Sequence, residues 1–124
     1  MSELVLSLPF PVSVNAMYRA VKGRSILSED YRAWKREAGE LLNVQRHKPI
    51  TGPVLVNIDL VPPDKRRHDC DNLCKGLVDL LVAHGVIEAD DNRILRGLSV
   101  YWRDEGIPCR VTVTPLAPVR GDPA

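Results

Sequence analysis

Acidic residues and a lysine crowd one stretch of this 124-residue chain, Arg67-His68-Asp69-Cys70-Asp71-Asn72-Leu73-Cys74-Lys75. A further acidic pair follows at Asp90-Asp91-Asn92. If the backbone around Asp69 and Asp71 is extended, residues two apart point to the same side. Lys75 stands four residues beyond Asp71, one turn of a helix, which puts the two on a common face. Carboxylates gathered together repel one another, and a hard divalent cation is the usual compensation. Mg2+ takes oxygen ligands, keeps several waters, and is held by one or two carboxylates together with substrate phosphate oxygens. Such an ion activates water and stabilises a leaving alkoxide. A lysine beside it stabilises charge developing on phosphorus or orients the attacking water. Lys65, Arg66 and Arg67, just upstream, suit neighbouring phosphates. These parts fit metal-assisted cleavage of a phosphodiester.

Plainer readings of the same residues compete. Asp-x-Asp-Asn ahead of a helix is a good N-cap. Asp71 and Lys75 make an ordinary exposed pair, and Asp90-Asp91-Asn92 is common turn composition. Cys70 and Cys74, with His68 and His84 nearby, raise a zinc-ordered, non-catalytic nucleic-acid-binding module as the alternative function. Their spacing lacks the second ligand pair of a zinc knuckle, and buried free thiols account for the cysteines equally. The stretch is not a calcium-binding EF-hand loop, because Cys74 stands where the loop glycine belongs.

The elements that must position these residues are legible from periodicity. Leu4, Leu6 and Leu8 alternate as a strand ended by Pro9 and Pro11. Tyr18 to Ile26, with Lys22-Gly23 in the middle, reads as a short hairpin. Ser28 caps a helix over about Glu29 to Val44, with Glu29 and Asp30 in its first turn and Tyr31, Trp34, Ala38, Leu41 and Leu42 as its apolar stripe. His47 to Pro53 reads as a turn. Val54, Val56, Ile58 and Leu60 alternate as the clearest strand. A second helix is expected to begin near Asp71 or Asn72, capped by one of them, to carry Leu73, Leu77, Leu80 and Leu81, and to end at Gly85. Leu98, Val100 and Trp102, then Val111 and Val113, read as the two arms of a final hairpin around Asp104-Glu105-Gly106-Ile107-Pro108. The expected fold is α+β: a two-layer domain with one mixed β-sheet and two amphipathic helices.

Length confines this to one domain over residues 1–124, with about 116–124 a frayed tail. The apolar fraction of 44% and charged fraction of 27% are those of an ordinary globular protein, which excludes disordered and fibrous classes. No apolar run approaches the ~20 residues of a membrane span. The opening residues lack the basic start of a signal peptide, so a cytoplasmic location is expected. The net charge of +1 excludes a uniformly basic nucleic-acid binder. Basic residues lean toward the first fifty positions and acids toward the centre, an arrangement suited to a polyanion bound beside a cation.

The stretch from Arg67 to Lys75, then Leu77 and Asp79-Leu80-Leu81, Gly85-Val86 and Asp90-Asp91-Asn92-Arg93-Ile94, resembles RusA-type Holliday-junction resolvases. Their pattern is R-x-D-x-D-N-x-x-K, a short helix, a Gly-hydrophobic turn and D-D-x-x-I/V. Leu8-Pro9-Phe10-Pro11 with Asn15 and Tyr18 is similar to the family's opening, so the likeness covers about residues 4–114. The resemblance implies a homodimeric, Mg2+-dependent endodeoxyribonuclease, with Mn2+ as a substitute ion, that resolves four-way DNA junctions by paired cuts in recombination and repair. It implies no nucleotide cofactor. Carried over by position, Asp69, Asp71 and Asp91 are the metal carboxylates, with Asp90 as the competing ligand of the pair, and Lys75 is the catalytic lysine. Residues 86–89 make the turn one residue longer than its shortest form, and His68 stands where the family often has Pro. Two cuts related by a two-fold axis match a dimer. DNA-binding candidates are Arg19, Lys22, Arg24, Lys65, Arg66 and Arg67.

Overall fold

The computed structural model describes residues 3–45 and 48–116. The expected tail beyond 116 and the start of the turn at His47 lie outside the described residues. Strand β1 (Leu4–Leu8) is followed by a 3-10 turn at Val14–Ala16 and by β2 (Tyr18–Val21) and β3 (Arg24–Leu27). The last two form the expected hairpin, a separate two-stranded sheet. Its turn residues Lys22 and Gly23 both have positive φ, 50° and 76°, as a tight two-residue hairpin turn requires.

Helix α1 (Glu29–Gln45) starts where the sequence places it. The Ser28 hydroxyl accepts from the Tyr31 N–H at 3.1 Å and donates to the Ala16 carbonyl at 2.6 Å. One serine therefore caps the helix and ties it to the 3-10 turn. Tyr31, Trp34, Ala38 and Leu42 form the buried stripe. At the far end, the Gln45 amide accepts from the Ser7 N–H at 2.7 Å and donates to the Ser7 carbonyl at 3.0 Å, clasping the β1 edge.

Strand β4 (Val54–Leu60), a 3-10 turn at Cys70–Leu73, α2 (Cys74–Ala83), β5 (Leu95–Trp102) and β6 (Cys109–Pro115) complete the fold. The main sheet runs β1-β6-β4-β5. β5 lies parallel to β4, whereas β6 is antiparallel to both β4 and β1. The sheet is thus mixed, as expected, but the final hairpin is not there: β5 and β6 lie on opposite sides of β4. A short period-2 strand carries no record of its neighbour. What decides is β4, which alternates buried and less buried residues along its whole length and takes a partner on both edges. The 103–108 connection instead bridges the end of β4, through Arg103 N–H to the Leu60 carbonyl at 2.7 Å and Val61 N–H to the Pro108 carbonyl at 3.1 Å.

β4, α2 and β5 make a parallel strand–helix–strand crossover. Val54, Val56, Ile58 and Leu60 share the core with Leu77, Leu80 and Leu81 of α2 and the α1 stripe. Both helices cover this one face. The opposite face carries Val5, Leu55 and Tyr101, all exposed.

α2 departs from expectation at its start. The helix begins at Cys74, not at Asp71 or Asn72, and no side chain caps it. Asp69 is extended (φ −99°, ψ 114°), and the turn after it closes through the backbone, Asn72 N–H to the Asp69 carbonyl at 3.1 Å. The end follows the sequence. Gly85, with φ 69°, reverses the chain, and the N–H groups of Gly85 and Val86 bond back to Val82 and Leu81. Val86 and Ile87 then drop into the core.

Candidate active site

The crossover from β4 to β5 carries every acid singled out above. The loop after β4 brings in Asp64 to Arg67, the 3-10 turn carries Asp71, α2 carries Lys75 and Asp79, and the turn before β5 carries Asp90 and Asp91. Asp69 and Asp71 are exposed, and the Asp69 side chain makes no capping bond. Among the described residues, the carboxylates of Asp69, Asp71 and Asp90 take part in no ion pair. Since capping was the plain use for the first two, an exposed carboxylate without that use is what a ligand requires.

Local geometry departs from expectation at Asp71, Lys75 and Asp91. Asp69 is extended but Asp71 lies within a 3-10 turn, so the pair does not have the strand geometry that would point both to one side. Lys75 does not pair with Asp71. Its Nζ donates to Asp79 Oδ1 at 3.1 Å, because the helix starts only at Cys74 and Asp79 is the acid one turn ahead. That hydrogen bond, with the charges of Asp79 and Asp90, holds the ammonium above the usual lysine range. Asp91 is turned onto Arg93: Oδ2 accepts from the guanidinium at 2.8 Å and Oδ1 from the Arg93 backbone N–H at 2.9 Å. Arg93 thereby lowers its carboxyl to about 2. Asp90 is exposed and close enough to act on Lys75 electrostatically.

Of the basic candidates, Arg66 is occupied by Asp64 at 3.0 Å. Lys65 and Arg67 are exposed in the same loop, and Arg19, Lys22 and Arg24 are exposed on the β2–β3 hairpin. The zinc candidates are separated. His68 Nε2 meets Asp64 Oδ1 at 2.9 Å, whereas the His84 ring lies against Gly39 of α1, at the opposite end of α2 from Cys74.

The sequence did not single out the packing that holds the approach to Asp69. The His68 ring stands edge-on to Phe10, with centroids 5.7 Å apart, and lies 6.3 Å from Trp102. Asp64 is lowered by its hydrogen bonds to His68 and then to Arg66. A cavity of about 410 Å3 opens here between Asn15 of the N-terminal turn and Arg67, Asp69 and Asn72. Nothing in the sequence pointed to Trp102 or to the Asp64–His68 contact, since a four-residue spacing pairs side chains on a helix and 64–68 is irregular backbone.

The donor chemistry suits a hard cation. Among the described residues, no three acidic, histidine or cysteine side chains stand grouped as ligands. Mg2+ held by one or two carboxylates, waters and phosphate needs no such group.

The match to the family model described as endodeoxyribonuclease RusA extends over residues 9–114, nearly all of the fold. The chain belongs to the RusA family. A RusA-family relative from Enterobacteria phage HK97, named crossover junction endodeoxyribonuclease rusA, is 30% identical over 105 residues, covering 81% of this chain and 88% of the relative. The RusA protein of Escherichia coli K12, of the same name, is 33% identical over 86 residues, covering 68% of this chain and 72% of its own length. The match spans both the N-terminal turn with Asn15 and the 69–91 crossover, the two walls of the cavity beside Asp69.

Proposed function

We propose that this RusA-family endodeoxyribonuclease resolves four-way DNA junctions by paired, Mg2+-dependent hydrolysis of phosphodiesters, acting as a single-domain homodimer in the cytoplasm. Its family and the names of its relatives support the substrate. The observation that carries the site is the exposed Asp69 and Asp71 at an uncapped turn, with Lys75 beginning the helix behind them.

Asp69 and Asp71 would hold the ion, together with Asp91 or Asp90. The bound ion would supply an activated water and neutralise charge on the leaving oxygen. Asp91 reaches it only by leaving Arg93, whereas Asp90 has no ion-pair partner among the described residues. Lys75 brings an ammonium that is protonated at any working pH; Asp79 holds its Nζ, and the charge of Asp90 reinforces it. Such a fixed charge opposes the negative charge that builds on phosphorus. Lys65 and Arg67, with Arg19, Lys22 and Arg24 on the hairpin, would take flanking phosphates, and Arg66 would join them by exchanging Asp64 for DNA.

No helix among the described residues is long and apolar enough to cross a membrane. The deciding experiment incubates a synthetic mobile four-way junction with the protein at one stated salt concentration, with Mg2+, with Mn2+ and with chelator. Symmetric nicks that depend on the ion are expected. Equal cutting of linear duplex would leave a non-selective nuclease, and binding without nicking in either metal would leave a non-catalytic module.

A further inference from the structure

A second cavity, of about 320 Å3, lies between the β2–β3 hairpin, α1 and α2, and none of the candidate cation ligands lines it. Tyr18 of β2, Tyr31 and Lys35 of α1, and Gly76, Asp79 and Ala83 of α2 line it. Its wall is aromatic. Tyr18 is 57% exposed although it stands at the root of the hairpin, and Tyr31 is buried with the Lys35 ammonium 5.3 Å from its ring centroid. Gly76 leaves room in its wall: a Cβ there would stand 2.9 Å from Met17 Cε and 3.4 Å from the Tyr31 ring, so any side chain would press on both.

The cavity meets the proposed chemistry at one residue. Asp79, in its wall, is the residue that holds Lys75. An acid at that position disfavours a phosphate. A flat, uncharged ring fits better, since it can stack on an exposed tyrosine while its edge meets a carboxylate and an ammonium. A large exposed aromatic beside charged groups is also the form that single-stranded nucleic-acid sites take.

We propose that this cavity receives one nucleobase drawn out of the stack at the junction crossover, with Tyr18 as its stacking platform, so that the nucleotide beside the scissile phosphate is read as the strand is held at Lys75. The inference rests on the junction-resolvase reading and names what that site selects. The base leaves its neighbours at the point where stacking is already interrupted, which is where unstacking costs least. The basic hairpin that carries Tyr18 would hold the backbone on either side.

The test uses the full chain and four-way junctions with 2-aminopurine placed at successive positions around the crossover, bound in chelator at fixed salt. In the wild type and in Tyr18→Phe, emission changes at one position on binding. In Tyr18→Ala, and in Ala83→Phe, which fills the cavity from an exposed helix position, that change is lost. Junction affinity then falls roughly 5- to 150-fold, the range of one base–aromatic contact. An abasic site at the same position makes wild type and Tyr18→Ala bind equally. No emission change at any position, or an equal loss of affinity by Tyr18→Ala on intact and abasic junctions, overturns the proposal. If the wild type still nicks junctions in Mg2+, only the base pocket has failed. If it neither nicks them nor prefers them to duplex, the resolvase reading fails with it.

Discussion

Lys75→Ala separates catalysis from structure because the two effects differ so much in size. The Lys75–Asp79 pair is an i,i+4 pair on the outside of α2, with side chains 61% and 39% exposed. Water screens such pairs, and they are worth about 0.3–0.5 kcal/mol. Alanine is the best helix former, which offsets much of that loss. The urea midpoint should therefore move very little. If the ammonium opposes charge developing on phosphorus, its removal costs about 2.7–4 kcal/mol at the transition state, a 100- to 1,000-fold loss in rate. Single-turnover nicking of a junction at saturating protein measures that rate, and gel-shift titration in chelator measures affinity. The expected outcome is a large fall in rate with affinity nearly unchanged. A rate within a few fold of wild type would refute the assignment. A loss confined to affinity would make Lys75 a phosphate clamp. The pair itself brings no pH dependence to the assay. A lysine whose pKa is raised by folding contributes stability below its unfolded value near 10.4, and loses it only as pH climbs through the folded one.

Asp71→Asn should abolish nicking in Mg2+ while junction binding persists, because the exposed carboxylate has no structural partner to lose; nicking at the normal rate would count against it as a ligand. Leu77→Ala, at a position with no solvent exposure between α2 and the sheet, should cost about 2–5 kcal/mol by urea unfolding, and a loss under 1 kcal/mol would mean α2 is not packed as described. Burial pushes the Cys109 thiol up to about 12. The unfolded chain releases this proton near pH 8.5 and the folded chain keeps it, so stability should decline as pH rises from about 8.5 toward about 12, and Cys109→Ala should flatten that decline. At pH 8, iodoacetamide should label Cys70 before Cys109, and the reverse order, read by peptide mass, would contradict the burial of β6.

Sequence periodicity identified the strands around Leu6 and Ile58, the Lys22-Gly23 hairpin and α1 with its Ser28 cap, because in each the local pattern and the tertiary environment agree. It failed where the outcome depends on a distant partner. Leu98 to Trp102 alternate equally well beside β6 or beside β4, and only the crossover through α2 makes β5 parallel to β4. The acids of the candidate site were visible as residue types, but their local geometry was not. Whether Asp71 sits in a helix or in a 3-10 turn depends on how Cys70 to Leu73 close through backbone bonds, and this moved the partner of Lys75 from Asp71 to Asp79. The grip of Arg93 on Asp91 follows from a tight turn two residues long, for which Asp-x-Arg composition gives no warning.

Among the described residues β6 is the last strand in the chain, yet it lies between the first strand and the central one. Until Cys109–Pro115 is in place, β1 has no neighbour in the sheet and the layer under α1 stays open. Contacts this far apart in sequence form late. Without β6, the β4–α2–β5 crossover that carries the acids would lack the strand that ties it to β1.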